Sequence, residues 1–149
     1  MRAVVQRSGP ACVRVAGEVV GSIGFGLVAF VGAGQGDGPD DVRYLAAKIA
    51  GLRVFAGPDG RMALGPGEAG AAILLVPQFT LYGDVRRGLR PDFTAAAAPA
   101  VGRALLADLA AALRAAGLQV AEGQFGAHMA VDVAGDGPVT ILIDSRRLF

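Results

Sequence analysis

The residue types that build most catalytic and metal sites are nearly missing from this chain. Among 149 residues there is one cysteine, Cys12, one histidine, His128, and one lysine, Lys48. A lone cysteine excludes an internal disulfide and fits a reducing, cytoplasmic setting. One His and one Cys without a carboxylate cluster exclude a structural zinc site. A Ser-His-Asp triad would have to use His128, which reads as a loop residue. No G-x-S-x-G elbow is present, and Ser22 sits in a hairpin strand. A hydrolase made of these residues would work without the usual side-chain base, and no metal or organic cofactor is expected.

Charge is sparse as well. Charged residues are 18 % of the chain and the net charge is +1, so composition gives no argument for nucleic acid. The N-terminus, Met1 to Arg7, lacks the apolar run of a signal peptide. The longest uncharged stretch, Val19 to Gly36, carries six glycines with Ser22 and Gln35. It reads as two strands and a turn, so no membrane span is expected.

What the chain does have is apolar residues, at 53 %, which excludes a disordered chain. With so few charges, part of the apolar surface is expected to be covered in a dimer. Arg2 to Arg7, Val13 to Val15, Val19 to Ile23 and Leu27 to Val31 read as strands, with a turn at Ala16-Gly17-Glu18. Pro39 in the first turn, Asp40 and Asp41 beside it and Asp37 as cap start a helix that ends at Gly51. Its inner face is Val42, Leu45, Ile49 and Leu52. A short strand, Arg53 to Phe55, a turn over Gly57 to Gly60 and a buried strand, Ala71 to Val76, follow.

Gly83 to Pro99 reads as an exposed loop containing Arg86, Arg87 and Arg90. A second helix runs from Pro99 to Gly117 with Val101, Leu105, Leu109 and Leu113 facing inward. Two last strands, Met129 to Val133 and Val139 to Ile143, flank a turn at Gly135-Asp136-Gly137-Pro138. The pattern predicts one α/β (α+β) domain over 1–149, barrel-like, with mostly antiparallel or mixed strands and two main helices.

Three segments invite chemistry. The glycine-rich stretch Gly32 to Gly38 lacks the spacing of a dinucleotide or P-loop motif and is read as a strand-to-helix turn. In Ala71 to Asp84, Pro77 interrupts a buried strand just before Gln78, Phe79 and Thr80. Two readings stand side by side: a bulge that frees backbone N–H groups for an anion, or a plain strand end. In the third, Gly137-Pro138, the residues alone favour an ordinary trans turn.

Taken together, the chain resembles the D-aminoacyl-tRNA deacylases from end to end. Gln78-Phe79-Thr80-Leu81-Tyr82-Gly83-Asp84 matches the SQFTLYGD motif except at its first position, where Pro77 replaces Ser. Gly137-Pro138-Val139-Thr140 matches the end of the NxGPVT motif, with Gly135 in place of Asn. Val4 to Arg7, Tyr44 to Ile49 with Leu52 to Phe55, and Phe125-Gly126-Ala127 with Met129 support the match.

The resemblance implies a barrel-like homodimer that hydrolyses the ester of D-aminoacyl-tRNA. Glycyl-tRNA mischarged on tRNA(Ala) is an expected second substrate. Phe79 and Thr80 would present N–H groups to the ester, and Gln78 would shape the pocket. Thr80 as a covalent nucleophile is the rival role. Gly137-Pro138 would be cis and would enter the partner subunit's site to reject L side chains, with Arg7 holding the turn. Met129 and Pro77 would line the substrate pocket.

Arg86, Arg87 and Arg90 are candidates for tRNA phosphate contact, with a solvated loop as the other reading. Pro77 also occurs in a related Pro-Gln branch that is less strict about chirality, so a relaxed deacylase is an alternative. A non-catalytic RNA-binding protein of the same fold is another. Ser8-Gly9-Pro10, a further departure from the family pattern, could alter how Arg7 latches the turn.

Overall fold

The structure, a computed structural model, describes every residue from Met1 to Phe149. Its elements run β1 (Arg2–Val15), β2 (Glu18–Ile23), β3 (Gly26–Gly32), α1 (Pro39–Ala50), β4 (Phe55–Ala56), β5 (Met62–Leu64), α2 (Pro66–Ala69), β6 (Ala72–Pro77), α3 (Pro99–Ala115), β7 (Val120–Glu122) and β8 (Ala130–Asp144). A 3-10 turn, Phe79–Tyr82, follows β6. No helix is long and apolar enough to cross a membrane.

β1 is the spine of a mixed sheet. β8 lies antiparallel along one edge of it. On the other edge β3 pairs with Arg2 to Ser8 and β2 with Ala11 to Val15, both antiparallel. β6 joins β3 in parallel, and β7 joins β6 in parallel. The sheet curls until β2 meets β7. Gly21 lies so close to the Glu122 carbonyl that a Cβ there would collide with it. The result is the barrel-like α+β arrangement that the pattern of elements predicts.

Alternation of strand side chains divides the interior in two. Leu27, Ala29 and Val31 share one core with Leu45, Ile49, Leu109 and Leu113 of the two long helices. Val28 points the other way and packs with Val13, Ile23, Leu74 and Val76 inside the curled sheet. β3 and β6 are therefore buried on both faces, which explains their unbroken apolar runs. Leu109 is fully buried, and cutting such a side chain to Ala costs about 2–5 kcal/mol.

Several local expectations are corrected. The cap of α1 is Gly38, not Asp37, and the Gly38 N–H is taken by Asp41 at 2.8 Å. Val101 is exposed on α3, because a strict four-residue repeat drifts off a face that turns every 3.6 residues. Gly102, Leu106 and Ala110 are buried with Leu105, Leu109 and Leu113 instead. The strands β5 and β7 and the short helix α2 are additions to the sequence reading, although Pro66 in the first turn of α2, Glu68 on the Gly65 N–H and the left-handed Gly70 mark that helix.

The two C-terminal strands are one strand, β8, carrying a bulge. Gln6 pairs with Thr140 and Ser8 with Gly135, so Arg7 alone faces the whole of Asp136 to Val139. The turn is thus extruded from the middle of a ladder rather than closing a hairpin. β1 carries its own irregularity beside it, where Gly9 and Pro10 face Ala134. The buried Ser8 hydroxyl donates to the Ala134 carbonyl at 3.0 Å.

Candidate active site

Pro77 ends β6 opposite Val31, where the ladder has no further need of its missing N–H. The next N–H, from Gln78, still donates to the Val31 carbonyl at 2.8 Å. Gln78 then leaves the strand with φ −147° and ψ 75°. The first bond of the 3-10 turn runs from Leu81 N–H to the Gln78 carbonyl at 3.3 Å. Phe79 and Thr80, being the first two residues of that turn, have no earlier carbonyl in it to bond. Of the two readings of Pro77, the structure shows the strand end: β6 stops there with no bulge in its register against β3, and the free N–H groups belong to the 3-10 turn just beyond.

Those residues stand at a cleft of about 680 Å³. Pro77, Gln78 and Phe79 form one side, Phe125 to Met129 another, and Phe93 with Ala96 to Pro99 a third. Ten of its sixteen lining residues are hydrophobic, so the cleft suits a ligand with a large apolar face. Phe79 meets Phe93 edge-on, with centroids 5.1 Å apart and planes at 70°. The Gln78 side-chain amide donates to the Thr80 hydroxyl. Thr80 is exposed and is not among the residues that line the cleft, and its hydroxyl has no histidine or carboxylate as a hydrogen-bond partner.

The stretch Gly83 to Pro99 is only partly the exposed loop expected. Its tip is exposed, but the return strand folds back. Asp84 and Asp92 form an antiparallel bridge, Gln35 N–H donates to Ala95 O at 2.9 Å, and Ala97 N–H to Ala33 O at 2.9 Å. This pins Phe93 to Ala98 as a wall of the cleft. Arg86 is not free: its Nε and Nη2 hold both oxygens of Asp84, at 2.9 and 2.5 Å. That grip holds the Asp84 carboxyl well below the usual carboxylate range. Arg87 and Arg90 have no such partner. His128, read from sequence as a loop histidine, is in a loop and exposed, and it also lines the cleft.

Behind the motif lies a buried polar cluster that sequence reasoning missed. One oxygen of Asp37 accepts from the Gly34 N–H at 2.6 Å and the Tyr82 hydroxyl at 3.1 Å, and faces the Met1 ammonium at 2.7 Å. The other oxygen is held by Arg146 at 2.8 Å. Burial alone would raise the Asp37 carboxyl, but the ammonium, the Gly34 N–H and Arg146 outweigh it and the group titrates low. Burial first, and then the Asp37 charge, push the Tyr82 hydroxyl well above its ordinary value. Gly34 has no room for a side chain, since a Cβ would sit 2.5 Å from the Tyr82 ring. The glycine-rich turn is therefore a seat for Tyr82.

Gly137 and Pro138 do not line this cleft. They are exposed on the bulge of β8, and their peptide bond is cis, where the residues alone suggested trans. Arg7 fastens the bulge at its base. Its Nη1 donates to the Val54 carbonyl at 2.5 Å, and its Nε lies 2.8 Å from the Asp136 carboxylate. The Nε contact is an ion pair without hydrogen-bond alignment. Gly137 has φ +121°, and a Cβ there would lie 2.8 Å from Val139 Cγ2 and 3.1 Å from Arg7 Nη2. Only glycine fits. Within one chain, then, Pro77, Gln78, Phe79 and Met129 come together, Thr80 stands beside them, and Arg7, Gly137 and Pro138 form a separate group.

Known proteins resemble this chain in sequence and in fold. The D-Tyr-tRNA(Tyr) deacylase family profile matches residues 4–144. A protein of Sorangium cellulosum named D-aminoacyl-tRNA deacylase is 55 % identical over 150 residues, covering 100 % of both chains. One of Heliobacterium modesticaldum with the same name is 52 % identical, over 98 % of this chain and 97 % of that one. Among solved structures, one described as the c-Myc DNA Unwinding Element Binding Protein superposes with a TM-score of 0.90. It is 34 % identical, over 97 % of this chain and 98 % of that one. A second, described as a probable eukaryotic D-amino acid tRNA deacylase, has a TM-score of 0.81 at 20 % identity, over 95 % and 97 %, and speaks to the fold alone.

Proposed function

The chain belongs to the D-aminoacyl-tRNA deacylase family and is an ester hydrolase acting on D-aminoacyl-tRNA; from that premise we propose how its residues divide the work. The observation that carries the reading is the pair of free N–H groups, Phe79 and Thr80, at the start of the 3-10 turn beside an apolar cleft. The cleft takes the aminoacylated terminal adenosine. Water adds to the ester carbonyl, and the oxyanion that forms is met by these two donors. The carbon–oxygen bond to the ribose then breaks, the ribose oxygen takes a proton, and free D-amino acid and tRNA leave. An aminoacyl ester is already activated, so a placed water and an oxyanion site suffice. Thr80 contributes its N–H rather than its hydroxyl, because no group is poised to take the hydroxyl proton.

Chiral selection comes from a second copy of the chain. Gly137 and Pro138 lie outside their own chain's cleft, exposed on a bulge that Arg7 and Asp136 stiffen. In a homodimer this bulge enters the cleft of the partner subunit and crowds the position of an L side chain. Met129 and Pro77 line the substrate pocket from within the same chain. A filter that works by exclusion need not grip the side chain, so glycyl-tRNA is accepted as well. The whole of 1–149 acts as one domain, in the cytoplasm, with no cofactor.

Single-turnover deacylation of D-Tyr-tRNA, L-Tyr-tRNA and Gly-tRNA tests this. Loss of the D and glycyl esters with little loss of the L ester is the expected result. Loss of all three would mean relaxed chirality, and loss of none would leave a tRNA-binding protein.

A further inference from the structure

A smaller cleft of about 280 Å³ opens beside the first and shares Pro77 and Phe125 with it. Arg103, Glu122, Gly123 and Gln124 complete its polar side. Arg103 projects from the first turns of α3, with its guanidinium over the Phe125 ring, 4.8 Å from the centroid. It makes no hydrogen bond or ion pair within the chain; Arg86, by contrast, spends its fork on Asp84. The one carboxylate in the cleft, Glu122, is already held by Arg114 at 2.6 Å. The cleft therefore presents one uncompensated positive charge. Stacking on Phe125 holds the planar fork in place and leaves its N–H edges open.

We propose that this second cleft is a subsite for one phosphodiester, the one that joins the terminal adenosine to the nucleotide before it. The proposal rests on the reading that the first cleft holds that adenosine. An RNA whose last nucleoside is seated among Phe125, Met129 and Pro77 must leave across a rim. The rim formed by Pro77 and Phe125 leads directly to Arg103. A guanidinium fork matches two phosphate oxygens with two parallel hydrogen bonds, a geometry that a point charge does not offer. Arg103 is thus a binding residue that registers the end of the RNA relative to the donors of Phe79 and Thr80.

The test compares two esters: D-tyrosyl adenosine, which has no phosphate, and the D-tyrosyl ester of the dinucleotide CpA, which has one. The wild-type protein is expected to favour the dinucleotide in kcat/KM by about tenfold, the scale of one charge-assisted bidentate contact. In Arg103→Gln that ratio falls toward one, and in Arg103→Lys it falls part of the way. An equal loss on both esters, or an undiminished ratio in Arg103→Gln, overturns the proposal. Equilibrium binding of unacylated CpA beside adenosine requires no turnover and separates the two readings. If no ester is cleaved but CpA keeps an advantage that depends on Arg103, the catalytic reading fails and the subsite stands. If esters are cleaved and CpA has no such advantage, the subsite fails and the catalytic reading stands.

Discussion

The Tyr82 hydroxyl donates to Asp37 at 3.1 Å, both groups being buried, and so ties the end of the 3-10 turn to the entrance of α1. The same carboxylate faces the Met1 ammonium and Arg146. A residue that touches no substrate thereby sets where the 3-10 turn, and with it the N–H pair of Phe79 and Thr80, can lie.

Asp37→Asn should destabilise the protein by about 1–3 kcal/mol, because the buried Met1 ammonium loses its nearest counter-charge and keeps only Asp41, at 3.6 Å. The Asp37 carboxyl titrates below its ordinary value in the folded protein. Its contribution is therefore complete above the unfolded value near 3.9 and is lost as pH falls through the lower folded one. Denaturant unfolding of both proteins from pH 7 down to pH 3 checks this. The variant should show a lower stability at pH 7 and a shallower fall below about pH 4. An unchanged stability at pH 7 would remove Asp37 from the account.

Gly137→Ala places a Cβ against Val139 and Arg7 at a φ of +121°, which L side chains rarely adopt. The bulge must shift. If it is the chiral filter, kcat/KM on D-Tyr-tRNA falls by at least about tenfold, or the preference for D over L shrinks by as much, equivalent to about 1.4 kcal/mol. Wild-type rate and wild-type selectivity together in this variant would refute the filter role.

Thr80→Ala separates the two roles of that residue. Its backbone N–H survives the substitution, so the rate of D-Tyr-tRNA hydrolysis should stay within about tenfold of wild type. A covalent nucleophile could not be removed so cheaply. A loss of about a thousandfold or more, with the fold intact by circular dichroism, would restore the hydroxyl as nucleophile.

The three loop arginines should not behave alike. Arg86 is committed to Asp84, whereas Arg87 and Arg90 are unpaired. Removing Arg87 and Arg90 together should weaken tRNA binding. The salt dependence of binding should fall by roughly one unit of log slope for each phosphate that is no longer neutralised. Arg86→Ala should change the salt slope less. Filter binding across a salt series measures both.

The sequence by itself determined the two long helices, most of the long strands and the family to which the chain belongs. Alternating and unbroken apolar runs marked the two ends of β1, together with β3 and β6, because pleated strands expose their two faces at a period of two. Proline and acidic residues marked the start of α1 because a helix N-terminus tolerates the one and attracts the other. The shortage of His and Cys argued against a His-based triad and a structural zinc site. The run Gln78 to Asp84, with Gly137-Pro138, pointed to the family.

Only the tertiary structure decided what depends on partners far along the chain. Asp37 reads locally as a cap; its real partners, Tyr82 and Arg146, are 45 and 109 residues away. Phe93 to Ala98 has no periodicity to reveal a wall, because it is held by backbone bonds to Ala33 and Gln35. The turn at Gly137 reads as a hairpin end. It is an extruded bulge because β1 pairs with β8 on both sides of it. Periodicity in a sequence reports which face of an element is apolar. It carries no information about which distant group will satisfy a buried charge, and that was settled when the sheet curled.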